Sequence, residues 1–276
     1  MNQIGIEGIE LRLLLEALYL RYGYDFRSYA QASVERRVRG FLPSCACAGI
    51  SELIPLLLRD EALFSRLVQT LSITVTEMFR DPFVYRALQE KVLPVLKTWP
   101  HLKVWHAGCA SGEEVYSMAI LLEEDGLYDR SLLYATDFND EALAKAREGI
   151  YELDRMKGFT RSYQEAGGRN SFSDYYHASC EAVAIEARLK KNLTFANINL
   201  TTDGAFGEMH LIVCRNVLIY FDQDLQDRVL SLFAQSLVNG GFLCIGTKED
   251  LQFSSVARNF VEVDREARIY KLVEAP

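Results

Sequence analysis

Residues 104–116 read VWHAGCASGEEVY, and this stretch limits the possible folds more than any other. An apolar run is followed by a loop of small residues, from Ala107 to Gly112. Two acids, Glu113 and Glu114, then begin a helical pattern. A strand, a tight loop and a helix in this order hold nucleotides at the carboxyl edge of α/β sheets. The stretch therefore predicts a nucleotide-type site after a strand of an α/β domain.

The composition of this loop narrows the choice of ligand. A P-loop needs a lysine for the phosphate charge, and this loop has none. Glu113 and Glu114 occupy the helix N-terminus, where they would repel the pyrophosphate of a dinucleotide. S-adenosylmethionine carries a sulfonium and an ammonium and no phosphate, so small residues followed by an acid are consistent with it.

From Lys103 onward, strand and helix patterns alternate, which predicts an α/β fold with a doubly wound sheet. The last two strand patterns, FVEVD and ARIYKL, are joined by a tight turn, so at least one of them must run antiparallel. Residues 1–80 show only helical patterns, and we expect a helical N-terminal domain there and the α/β domain over 81–276. Short alternating pieces within 151–191 predict a small inserted antiparallel β-subdomain.

The helical patterns of the N-terminal part have recognisable ends. We predict one helix that stops at Gly23, one over 26–42, and two short helices over 51–71, of which Ser51 caps the first. Asp81 followed by Pro82 predicts a further helix start.

Composition excludes several classes of protein. The net charge of −8 resides in 81–276, which argues against a nucleic-acid partner. No apolar run approaches the length of a membrane span, and charges interrupt the first twenty residues, unlike a signal peptide. The six scattered cysteines are typical of buried free thiols, and the four isolated histidines predict no metal site. We expect a cytoplasmic protein without direct membrane insertion.

Asp137 ends the next strand pattern, LLYATD. An acid at this position can accept hydrogen bonds from both hydroxyls of a ribose. An acid after a strand can equally cap the following helix, and Asn139 or Asp140 could also provide that cap.

Five motifs connect these features: ITVTEMFRDP, VWHAGCASGEEVYSMAI, ATDFND, FANINL and VCRNVLIYFD. In order and spacing they resemble the chemotaxis receptor glutamate methyltransferases, the CheR family, over essentially the whole chain. The resemblance implies a class I, Rossmann-like methyltransferase domain behind an all-helical, substrate-facing domain. It also implies methyl transfer from S-adenosyl-L-methionine, with S-adenosyl-L-homocysteine as product, to receptor glutamates, which become methyl esters.

The resemblance assigns roles to individual residues. Thr76 and Arg80 hold the methionine part of the cofactor, Arg80 by binding its carboxylate. Alternatively, Arg80 is a surface partner of Asp81. Either Glu113 or Glu114 faces the amino group, while the other is a solvated acid that stabilises the helix dipole. The other implied cofactor residues are Thr74, Gly108, Asp137 at the ribose, Asn199 and Leu200 at the adenine, and Asn216 and Val217 near the reacting centre.

The implied chemistry needs no general base, because a glutamate carboxylate is already ionised at neutral pH. The expected catalytic residues are Arg80 and Tyr220, and Tyr220 either steers the incoming carboxylate or packs behind Asn216. Thr74 stands where family members often have Asn, so the resemblance leaves open whether Thr74 contacts the cofactor.

The implied partner is the cytoplasmic signalling domain of a methyl-accepting receptor, and we expect a monomer. The cluster Arg36, Arg37 and Arg39 either steers that acidic substrate or is a solvated face. In some family members the β-subdomain adds a receptor tail peptide as an extra strand. The alternatives are a non-catalytic S-adenosylmethionine-binding adaptor, and a methyltransferase for nucleic acid or a small molecule, which the acidic charge disfavours.

Overall fold

The computed structural model describes residues 5–72 and 76–274, and the chain divides into two compact units. The first unit contains residues up to 72 together with Ile219–Gln226, and the second contains 76–218 and 227–274. Among the described residues no single helix has the length and apolar composition of a membrane span, although the bent pair Gln31–Cys45 and Ile50–Leu57 does when the two are combined.

The described part of the first unit contains four complete α-helices: α1 (Ile6–Tyr22), α2 (Gln31–Phe41), α3 (Ile50–Leu57) and α4 (Glu61–Leu71). Their buried residues are aliphatic and aromatic side chains at helical spacing, among them Leu11, Leu14, Leu18, Val38, Leu53, Phe64 and Leu67. The predicted stop of α1 at Gly23 is confirmed: Gly23 has a φ of 77° and donates its N–H to the carbonyl of Tyr19 at 2.8 Å. Glycine adopts this left-handed conformation without steric cost.

Two predictions in this unit are wrong. Residues 26–30 are not helical, and α2 begins only at Gln31. Part of this stretch pairs with a distant segment instead: Ala30 donates its N–H to the carbonyl of Tyr220 at 2.8 Å, and Asp222 donates its N–H to the carbonyl of Ser28 at 2.9 Å. Ser51 does not cap α3, which begins one residue earlier. Instead the Ser51 hydroxyl donates to the carboxylate of Glu10 at 2.6 Å.

The first helix of the second unit begins at Pro82, as predicted, and an α/β domain follows it. Its elements in chain order are α5 (Pro82–Ala87), α6 (Leu93–Leu96), β1 (Leu102–Ala107), α7 (Glu113–Glu124), β2 (Ser131–Asp137), α8 (Asp140–Glu148), β3 (Ile150–Glu152), α9 (Met156–Glu165), β4 (Tyr176–Ala178), β5 (Ala182–Ile185), β6 (Leu193–Asn197), β7 (Met209–Cys214), α10 (Gln223–Ser236), β8 (Leu237–Ile245), β9 (Phe260–Asp264) and β10 (Ile269–Leu272); the first four residues of α10 belong to the first unit.

Seven of these strands form the main sheet in the order β6-β2-β1-β7-β8-β10-β9. The strands from β6 to β8 are parallel, whereas β10 runs antiparallel to both of its neighbours. The predicted α/β fold is therefore confirmed, including an antiparallel strand near the end of the chain. Because β6, β2, β1 and β7 are parallel, the loops that follow them emerge at one edge of the sheet.

The inserted segment contains a second sheet, β3-β5-β4, in which both pairs are antiparallel. This confirms the predicted antiparallel β-subdomain. Helix α9 lies between β3 and β4 and was not predicted from the sequence, although its buried residues Met156, Phe159 and Tyr163 follow helical spacing.

Candidate functional site

The small-residue loop after β1 is fastened to β2 by its backbone. Gly108 and Cys109 both donate their N–H groups to the carbonyl of Thr136, at 2.8 and 2.9 Å. Gly108 has a φ of 78°, and a Cβ at this position would lie 2.5 Å from a methyl carbon of Val217. The structure thus brings together two predicted cofactor residues, and it explains why the loop requires a glycine there.

Asp137, at the end of β2, is buried against this loop. Its two carboxylate oxygens accept the N–H groups of Ala110 and Asn139, each at 2.9 Å. Burial raises the pKa of the Asp137 carboxyl, and these backbone donors oppose part of the shift. The cap of α8 is Asn139, whose side-chain oxygen accepts from Glu141 and Ala142. Asp137 is therefore not a helix cap, and a carboxylate can accept further hydrogen bonds beside the two it has.

Glu113 begins α7, and its side chain is fully buried. Its carboxylate accepts from the hydroxyl of Ser111 at 2.7 Å and from the guanidinium of Arg155 at 2.8 Å. Burial raises the pKa of Glu113, and the contacts with Ser111 and Arg155 counteract it.

Glu114 points to a different set of partners. It forms an ion pair with Arg215 at 2.9 Å, and Nδ1 of His106 lies 3.6 Å from its other oxygen. Although burial favours the neutral acid, the neighbouring His106 and Arg215 together lower the pKa of Glu114. The prediction that one of the two glutamates is a solvated surface acid is wrong, because each is enclosed and paired with an arginine.

Arg215, which follows β7, anchors the segment that contains Arg80. Its side chain is 2% exposed and forms an ion pair with Asp81 at 2.6 Å. It also donates to the backbone carbonyl of Arg80 at 3.1 Å. Asp81 is thus the partner of Arg215 and not of Arg80. The half-buried Arg80 guanidinium has no hydrogen-bond or ion-pair partner among the residues that the structure describes.

Thr76 lies in the segment before α5, where its backbone carbonyl accepts from Arg155. The remaining predicted residues lie in loops of the same sheet edge, with two exceptions. Asn199 follows β6, and its side-chain oxygen accepts from the backbone and hydroxyl of Thr201, while Leu200 is buried. Asn216 follows β7 with a φ of 61°, and its buried side-chain oxygen has no hydrogen-bond partner within residues 5–72 and 76–274. Thr74 lies outside the described residues.

Tyr220 is the second exception, because it belongs to the first unit. There the guanidinium of Arg37 lies over its ring, 5.1 Å from the centroid. The catalytic role of Tyr220 stays a prediction.

Backbone strain is concentrated around this edge. Four non-glycine residues of the second unit near the site have left-handed backbones: Phe79, Asp81, Ala110 and Asn216. Such conformations cost about 1–3 kcal/mol each and cluster at functional sites.

These residues fit S-adenosylmethionine. The site offers a guanidinium at Arg80 that no described residue pairs with, a buried amide oxygen at Asn216, and carboxylates at Glu113 and Asp137. These groups match a cofactor with an amino acid end and a ribose. Sheet order and site together define a class I, Rossmann-like S-adenosylmethionine-dependent methyltransferase.

The family follows from comparison with known proteins. The model described as CheR methyltransferase, SAM binding domain, matches residues 74–267, and the model described as CheR methyltransferase, all-alpha domain, matches residues 9–72. The chain belongs to the CheR methyltransferase family, and S-adenosylmethionine is its cofactor.

Relatives in two bacteria agree with this assignment. The chain is 48% identical to "Putative methyltransferase Cher3" of Pseudomonas putida over 263 residues, which are 95% of this chain and 96% of the relative. It is 30% identical to the "Chemotaxis protein methyltransferase" of Listeria monocytogenes over 231 residues, which are 83% of this chain and 85% of the relative.

Two arginines of the site were not predicted. Arg215 stands directly after the buried strand β7. A charged residue at the end of an apolar strand is visible in the sequence and could have identified Arg215 as a site residue. Arg155 lies in the polar inserted segment, where no local pattern distinguishes it from the other arginines.

Proposed function

We propose that this protein methylates glutamate side chains on the cytoplasmic signalling domain of a methyl-accepting receptor, forming glutamate methyl esters. The family assignment supports a methyltransferase, and the state of the site residues supports a carboxylate acceptor. Glu113 and Glu114 are each paired with an arginine, and burial raises the pKa of the Cys109 thiol well above its usual value. The described loop residues thus supply no free base, and a carboxylate needs none.

We propose two ends for the cofactor site. The adenosine end comprises Gly108, Asp137, Asn199 and Leu200, in which Asp137 accepts hydrogen bonds from the ribose. The methionine end comprises Thr76, Arg80 and Glu113. There Arg80 binds the cofactor's carboxylate and Glu113 faces its ammonium.

When bound, S-adenosylmethionine supplies an electrophilic methyl group attached to a sulfonium. The residues of the chain orient the reactants and exclude water, because an ionised acceptor requires alignment and desolvation more than proton transfer. Asn216 and Val217 border the place of transfer in this proposal, and Tyr220 steers the incoming carboxylate.

The three arginines on α2 are not equivalent. Arg37 donates to the carbonyl of Leu71, and Arg39 forms ion pairs with Glu7 and Glu35. Only Arg36 is exposed and without a partner among the described residues, so it is the member of the cluster that could steer an acidic receptor helix.

The bond that is formed tests this proposal. With methyl-labelled cofactor and the signalling domain of a receptor from the same organism, we expect label on glutamate that mild base releases as volatile methanol. A receptor whose acceptor glutamates are changed to alanine should take up none. Label that survives base would show that the acceptor is not a carboxylate, and absence of any transfer would favour a cofactor-binding adaptor.

A further inference from the structure

Arg155 connects the inserted segment to the loop after β1. It stands between β3 and α9, 42 residues beyond Glu113 and 79 beyond Thr76. One guanidinium nitrogen donates to the Glu113 carboxylate at 2.8 Å, and the other donates to the backbone carbonyl of Thr76 at 2.5 Å. A single side chain therefore holds two residues of the methionine end.

The Glu113 carboxylate depends on this contact. Its side chain has no exposed surface, and its only other side-chain partner among the described residues is the hydroxyl of Ser111. A buried carboxylate stays ionised only when it is paired and hydrogen-bonded. Arg155 is itself held in place by the ring of Phe159, whose centroid lies 4.8 Å from the guanidinium carbon.

The pair also has the polarity that an α-amino acid requires. Glu113 carries the charge that complements the ammonium of the zwitterion, and Arg155 keeps that carboxylate ionised and in place while Arg80 takes the carboxylate of the cofactor. Arg155 uses one donor of each terminal nitrogen for its two contacts and retains others, since a guanidinium has five N–H groups.

We propose that Arg155 is a positioning residue for the amino acid end of the cofactor. It acts by holding the Glu113 carboxylate and the Thr76 backbone in place. The inference rests on the proposed role of Glu113. It makes the inserted segment a part of the cofactor site, in addition to any contact that the segment makes with a substrate.

The position of Arg155 predicts an effect that is confined to one end of the ligand. S-adenosylhomocysteine has both an adenosine and an amino acid end, whereas 5′-methylthioadenosine keeps the adenosine and the sulfur but lacks the amino acid. Loss of Arg155 should weaken binding of the first and spare the second, because the adenosine end is held by other residues.

The test is calorimetric titration of the purified full chain with each ligand. For Arg155→Gln we expect at least about tenfold weaker binding of S-adenosylhomocysteine, as loss of a charged hydrogen bond predicts, and less than about twofold change for 5′-methylthioadenosine. Arg155→Lys should recover part of the lost affinity, because an ammonium can still pair with Glu113 but cannot bridge to Thr76 as a planar fork does. The matched control is Arg161→Gln on α9, which removes an exposed arginine that pairs with Glu165.

Several results would overturn the inference. Unchanged binding of S-adenosylhomocysteine by Arg155→Gln excludes a positioning role. Equal loss of both ligands shows that Arg155 acts only on the fold, and Arg155→Lys decides the same question if the glutamine variant is less stable. Tighter binding shows that Arg155 competes with the ligand. If the unmodified protein binds neither ligand, the cofactor site itself is misplaced, whereas base-stable methylation with intact ligand discrimination overturns only the proposed substrate.

Discussion

The two ends of the proposed cofactor site are held by different kinds of contact. At the adenosine end, backbone N–H groups of adjacent loops fix Asp137, and Gly108 packs against Val217 at the edge of the sheet. At the methionine end, arginine side chains from distant parts of the chain fix Glu113 and the segment around Arg80. The first arrangement follows from sheet topology, while the second exists only once the chain has folded. Four predictions test this difference.

The largest effect is expected from Arg215→Met. This substitution removes the buried partner of two carboxylates: Glu114, whose side chain is 15% exposed, and Asp81, whose side chain is 33% exposed. Removing one member of a buried ion pair costs about 3–5 kcal/mol, so the free energy of unfolding should fall by about that amount in urea denaturation.

The matched control is Arg80→Met, because Arg80 has no side-chain partner among the described residues. If both variants lose equal stability, Arg215 is not the anchor of this end.

Asp137→Ala should affect both the ligand and the fold. It removes the acceptor for two backbone N–H groups, which predicts a loss of about 1–3 kcal/mol in the free energy of unfolding without ligand. It should also weaken 5′-methylthioadenosine and S-adenosylhomocysteine alike, by about 1.5–3 kcal/mol in titration calorimetry. If Asp137→Ala weakened only the binding of S-adenosylhomocysteine, Asp137 would lie at the methionine end and not at the adenosine end.

Arg80→Ala should affect only ligand binding. We expect S-adenosylhomocysteine to bind about 1.5–3 kcal/mol more weakly, because a charged hydrogen bond to its carboxylate is lost. Binding of 5′-methylthioadenosine and the melting temperature of the free protein should not change. A fall in melting temperature comparable to that of Asp137→Ala would show that the Arg80 guanidinium stabilises the free protein through a partner of its own.

The smallest effect is expected from pH. Burial raises the pKa of Glu113, so its carboxylate takes up a proton at a higher pH than an exposed glutamate. An ammonium binds the ionised form, so affinity for S-adenosylhomocysteine should be full above the raised pKa and decline as the pH falls through it. Titrations between about pH 8 and about pH 5.5 measure this decline. Glu113→Gln should bind more weakly and with a flatter pH profile, and an unchanged slope would assign the titration to another group.

Sequence patterns located most of the fold because its elements have local causes. The stop of α1 at Gly23 and the start of α5 at Pro82 each follow from one residue with a restricted or unusual backbone. The alternation of patterns from Lys103 onward predicted the succession of strands and helices along the chain of the α/β domain. The errors arose where distant contacts prevailed, as at Ala30, which bonds to Tyr220, and at Ser51, which bonds to Glu10.

The same division applies to the site. Sequence by itself determined the small-residue loop, the acid at the end of β2 and the choice of a cationic, phosphate-free ligand, because these depend on residue types at the carboxyl ends of adjacent strands. Only the tertiary structure decided that Glu113 pairs with Arg155 and Glu114 with Arg215, and that Asp81 is not the partner of Arg80. The ion pair of Arg215 and Asp81 joins residues 134 positions apart. Electrostatic pairing depends on distance in space, and a buried charge takes whichever partner the fold brings within reach.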